Sequence, residues 1–97
     1  MSVAHDGTTY ELVPEGVRTS LGDGPAMLWG FQVKVLDGAR LVCIKTCFVG
    51  RVSVQVRDAA VLDAPAEVLI PVLHELALEK VAAAIREGDL EDELVFA

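Results

Sequence analysis

Ninety-seven residues are enough for one small domain and too few for two. A net charge of −7 and a pI near 4.6 exclude a surface of clustered lysine and arginine, and with it nucleic acid as the expected partner. Apolar residues make up 53% at a mean hydropathy of +0.45, more than a monomer of this size can hide, so a homodimer is expected.

The charge is unevenly spread. Residues 1–57 carry five acids and six bases, whereas residues 58–97 carry ten acids and two bases. The second half is expected to present a solvated acidic helix face and tail. No apolar run approaches the ~18 residues that a membrane helix needs. The opening MSVAHDGTTYELVPEG lacks the basic and apolar stretches of a secretion signal, so the two cysteines read as reduced thiols of a cytoplasmic protein.

In chain order, residues 1–7 are expected to form a loose tail, with no role for His5. Thr8 to Val13 reads as a strand with Tyr10 and Leu12 on one face, ended by Pro14-Glu15-Gly16. Val17 to Leu21 reads as a second short strand, and Gly22-Asp23-Gly24-Pro25 as a loop. From Ala26 to Arg57 the pattern predicts a three-stranded antiparallel meander. Taking Asp37-Gly38 as a two-residue hairpin loop sets Val33 against Val42, Phe31 against Ile44, Trp29 against Thr46 and Met27 against Phe48. Those side chains would share one face, leaving Cys43, Lys45 and Cys47 on the reverse. A third strand, Val52 to Arg57, would follow a bulged turn at Val49-Gly50-Arg51, with Val52, Val54 and Val56 turned inward.

Asp63-Ala64-Pro65 can open a helix, and Pro71 either starts the main helix or kinks it. From Pro71 to Glu87 the period is helical, and Gly88 supplies the stop. Leu73, Ala77, Leu78, Val81, Ala84 and Ile85 form one apolar arc, opposite Glu75, Glu79 and Arg86. Val72, Leu76 and Ala83 make a second apolar flank. An acidic linker then leads to Leu94-Val95-Phe96, expected to pair as a last short strand. The fold class is thus α+β: an antiparallel sheet of four to five strands with one long helix, about 71–87, across one face.

No residue is expected to serve as a catalytic group, a metal ligand or a cofactor ligand. Cys43 and Cys47, four apart on a strand, lie about 13 Å from each other, too far for a disulfide or for one metal ion. Lys45 between them could favour a thiolate. His74 lacks an orienting carboxylate and a nucleophile, and reads as a core or interface residue with one hydrogen bond. The reverse sheet face, with Leu28, Leu41, Cys43, Lys45 and Cys47, is the expected interaction surface, together with Val72 and Leu76 of the helix flank. The leading functional expectation is a non-enzymatic interaction or regulatory protein that self-associates. One alternative is a small-molecule binding module or minor enzyme using the Cys43/Lys45/Cys47 face. Another is an acidic, antitoxin-like inhibitor that takes a basic partner through Glu75, Glu79 and residues 87–93. No motif ties the chain to a named family.

Overall fold

In a computed structural model describing residues 1–97, the chain enters the sheet at once. Ser2–His5 (β1) and Thr8–Pro14 (β2) form an antiparallel hairpin that pairs Val3 with Tyr10 and His5 with Thr8. Its turn is Asp6-Gly7, with φ of 49° and 79°, the two positive values a type I′ turn requires. The loose tail expected at residues 1–7 is therefore a strand. The tight reversal gives its backbone a partner, and Val3 enters the core at 2% exposure.

β2 pairs with β1 through its first half and with Leu28–Asp37 (β4) through Glu11–Pro14. After a short excursion Thr19–Leu21 (β3) returns to the same edge of β4, against Leu28–Gly30. Arg40–Gly50 (β5) lines the other edge of β4, and Glu93–Phe96 (β6) lies parallel to β5. The six-stranded sheet runs β1-β2-β4-β5-β6, with β3 beside β4. All neighbours are antiparallel except β5 and β6. The α+β class holds, and the terminal apolar tripeptide does pair within the chain.

The register of the β4–β5 hairpin differs from expectation in two steps. The loop is Gly38-Ala39, flanked by the pair Asp37–Arg40. Gly38 has φ 60° and Ala39 is not in the positive region, the pattern of a type II′ turn with glycine first. That change slides the pairing by two residues and leaves every face unaltered. The second step is a bulge: Leu36 pairs with Leu41, but Val35 pairs with Cys43. One additional residue, Val42, turns the rest of β5 over. Val33 now faces Lys45 and Phe31 faces Cys47. Cys43, Lys45 and Cys47 thus lie on the covered side with Phe31, while Ile44, Thr46 and Phe48 look outward.

Beyond Gly50 the chain is helical, not extended. β4 ends at Leu28, the partner of Gly50, so a continuing strand would find no ladder. The amides are satisfied internally instead, in Arg51–Asp58 (α1). Of the three valines expected to point inward only Val54 is buried; Val52 and Val56 are 56% and 83% exposed.

A turn of 3-10 helix at Ala59–Asp63 leads to Ala66–Arg86 (α2), one helix that includes Pro71 in its second turn. Pro71 and Glu67 are both exposed, so the carbonyl that loses its donor faces water. At the other end Gly88, with φ 86°, closes the helix: its own amide bonds Ile85 O and the Asp89 amide reaches Ala84 O. Leu73, Leu76, Ala77, Val81, Ala82 and Ile85 are buried. The inward arc is turned slightly from the expected one, so that Leu76 and Ala82 go in while Leu78 and Ala84 stay half-buried. α2 touches β1, β2, β4, β5 and β6. Both helices lie on one side of the sheet, and nothing in the chain covers the other. No helix is long and apolar enough to cross a membrane.

Candidate functional site

Two features of the sheet carry unusual chemistry: a fully buried lysine on its covered side and an apolar surface on its open side. Lys45 is 0% exposed. Its ammonium lies 3.1 Å from Asp89 Oδ1 and 3.0 Å from Glu93 Oε1, and donates to the Glu91 carbonyl at 2.7 Å. Three donors meet three acceptors, so the charge is buried without an orphan. Asp89 and Glu91 belong to the segment between α2 and β6, and Glu93 is the first residue of β6. Lys45 therefore acts as a latch that holds the C-terminal strand on the edge of β5.

Electrostatics favour holding over reacting. Burial alone would lower the Lys45 pKa, but its bonds to Glu93 and Asp89 outweigh that and leave it above the ordinary value. A lysine so firmly protonated is no nucleophile near neutral pH. Burial pushes the Cys47 thiol up to about 12, against the opposing pull of Lys45, and raises Cys43 as well. Both thiols are free, buried and protonated, the opposite of an activated pair.

On the helices, Arg57 of α1 pairs with Glu75 and Glu79 of α2, donating to Glu79 at 2.6 and 2.8 Å. The two acids expected to face a basic partner thus already hold a base of their own chain. His74 donates from Nε2 to the Glu15 carbonyl at 2.8 Å and meets the edge of Phe31 at 5.1 Å, a structural histidine with one hydrogen bond. His5 places Nδ1 3.2 Å from the Arg86 carbonyl, tying β1 to the end of α2.

The open face is read from the register. Leu21 lies beside Leu28, Thr19 beside Gly30, Gly30 beside Phe48 and Phe48 beside Phe96. The Phe48 and Phe96 rings stack with centroids 5.5 Å apart and planes 20° from parallel. Leu94 and Phe96 are 62% and 63% exposed and Leu21 is 49% exposed. Gly30 is required here, because a Cβ would fall 2.7 Å from Thr19 Cγ2 and 3.0 Å from Phe48 Cε1. Thr19 and Phe48 close over Gly30, and beside that contact lies an open hollow of about 150 Å³ bordered by Arg18, Thr19, Gln32, Thr46 and Phe48. A second, open cleft of about 350 Å³ continues past Gln32 and Thr46 to Ile44, Leu94 and Asp92.

The expected interaction residues divide accordingly. Leu28 is half-buried on the open face, and Leu41 is 49% exposed at the hairpin end. Cys43, Lys45 and Cys47 are inside, removed from any surface by the Val42 bulge. Val72 is half-buried, and Leu76 is buried beneath a groove that Val52 and Val56 border. The open face instead presents Phe48, Leu94 and Phe96 beside the Gly30 hollow. The terminal Leu-Val-Phe was the visible signal; its juxtaposition with Phe48 depends on a parallel pairing that no local pattern encodes.

No family model, curated protein or solved structure matches this chain.

Proposed function

We propose that this is a non-enzymatic interaction protein that self-associates through the open face of its sheet. One observation carries the reading: Leu21, Leu94 and Phe96 stand exposed around the Phe48–Phe96 stack on a face that no helix of the chain covers. Antiparallel sheets with a bare face ordinarily turn polar residues outward, and this one does so at Ser2, Thr9 and Glu11 on β1 and β2 and more sparsely across the other strands, at Thr19, Gln32, Lys34 and Thr46. Protonated, inaccessible thiols and a saturated lysine support a scaffold role over catalysis. They also fit a cytoplasmic setting, where thiols stay reduced. Sedimentation equilibrium tests the reading: a species of twice 10.4 kDa is expected at tens of micromolar. Leu94→Asp with Phe96→Asp should return it to the monomer. A wild-type monomer at that concentration refutes self-association.

A further inference from the structure

The open face is charged unequally across its width. Arg18 and Lys34 stand on the β2–β4 side, where both pair with Glu15 while Glu11, farther along β2, is matched by the N-terminal ammonium. On the β6 side Asp92 is exposed and bonds only a backbone amide, that of Ile44, while Glu91 is exposed beside it. One flank therefore has a surplus of positive charge and the other a surplus of negative charge, with Leu28, Ile44 and Phe48 on the strands between them and Leu94 and Phe96 along β6 itself.

A face with opposite charges on its two flanks is complementary to itself under one symmetry only. Two sheets stacked face to face are related by a two-fold axis lying in the plane between them. If that axis ran across the strands, like flanks would meet. If it runs along the strands, left meets right. We infer that two copies pack open face to open face about a two-fold axis parallel to the β4–β5 seam, so that Asp92 of each copy meets the Arg18–Lys34 flank of the other. This rests on the self-association reading above and specifies its geometry.

Shape supports the same arrangement. The axis carries the β6 column of one copy over the β3 column of the other, and β5 over β4. In the parallel register Phe96 stands level with Phe48 and, across β5, with Gly30 and Thr19. The Phe48–Phe96 pair of one copy thus arrives above the Gly30 hollow of the other. That hollow, about 150 Å³ and open to solvent, gives an arriving ring a recess on the facing sheet. Each copy presents its Phe96 ring to a recess walled by the other copy's Thr19 and Phe48, and the sheets would lie about 10 Å apart with their central strands aligned. The chain's charge of −7 opposes any pairing, so contacts that set positive against negative decide the register.

The test is a charge swap read by sedimentation equilibrium at low and high salt. Arg18→Glu alone and Asp92→Arg alone should each weaken the dimer about tenfold at low salt, because each reversal is felt twice in a symmetric pair. The double variant Arg18→Glu/Asp92→Arg should regain wild-type association, and 0.5 M salt should flatten the differences. Circular dichroism checks that each variant folds. A dimer indifferent to the single reversals, or a double variant no better than either single one, overturns this register while leaving self-association standing. Pairing then goes through the free edge of β6 or the Val52–Val56 groove. A wild-type monomer instead removes both.

Discussion

Lys45 is where the chain makes its largest electrostatic commitment. A lysine fully withdrawn from water costs several kcal/mol in lost hydration, recovered here through two carboxylates and a carbonyl. Removing only one side of such an arrangement is the damaging change. Lys45→Ala deletes the charge and leaves a cavity beside Cys47, and should lower the unfolding free energy by about 3 kcal/mol or more. Lys45→Met keeps most of the packing, and Asp89 and Glu93, each about a third exposed, can rehydrate, so its cost should be clearly smaller. Urea unfolding of the two variants checks the order; an alanine variant within 1 kcal/mol of wild type would contradict the latch. Arg57 offers the contrast. Its partners Glu75 and Glu79 are more than half exposed, so Arg57→Ala should cost no more than about 1 kcal/mol despite the short contacts. The thiols supply a third expectation at this scale. With Cys47 raised to about 12 by burial, neither cysteine should react with Ellman's reagent until the protein unfolds. Fast labelling of the native state would show that the covered face is open.

At the scale of elements, the C-terminal strand is the piece whose attachment depends on pH. The Glu93 carboxyl, the Lys45 ammonium and the Glu91 amide hold Asp89 below its ordinary value of 3.8. A carboxyl depressed by folding stabilises the folded form above its unfolded pKa and loses that contribution as pH falls through the folded one. Lys45, raised above 10.5, keeps its contribution below that value and loses it only as pH climbs past the folded pKa. β6 should therefore stay docked from mildly acid to alkaline pH and loosen below about pH 4. Amide-exchange protection of Val95, measured against pH, should fall there ahead of Val33 in the sheet interior; equal loss at both positions would mean that no separate latch exists. The same element shows how far local pattern reaches. Leu94-Val95-Phe96 announces a strand but not its partner, since a parallel neighbour reached through a 21-residue helix leaves no turn to read. Asp-Gly stands at both 6–7 and 37–38, yet the first, expected in a loose tail, forms a hairpin loop itself, and the second, expected to be the loop, contributes only its glycine. The decisive step, the bulge at Val42, is invisible because valine, leucine and cysteine serve equally well on either face of a strand. Val52, Val54 and Val56 alternate as a strand would, and fold as a helix because the neighbouring strand has ended.

For the whole molecule, the question is what a domain of this size does with a half-covered sheet. Twenty of its 97 residues are buried, and the core is confined to the layer between the helices and the inner sheet face. The outer face contributes apolar surface without contributing to that core, so the free chain should be marginally stable and a second copy should add what the fold lacks. Mass action makes this measurable. Because dimerisation binds the folded form and not the unfolded one, the wild-type melting temperature should rise with protein concentration. A hundredfold increase above the dissociation constant corresponds to about 2.7 kcal/mol by the same linkage, and for a domain near 100 residues each kcal/mol moves the midpoint by roughly 4–8 °C. Leu94→Asp with Phe96→Asp should remove the concentration dependence while lowering the midpoint at high dilution only by the few degrees that the Phe48–Phe96 stack contributes, since both side chains are more than half exposed in the single chain. A double variant that melts far below wild type even at high dilution would place Leu94 and Phe96 in the fold instead.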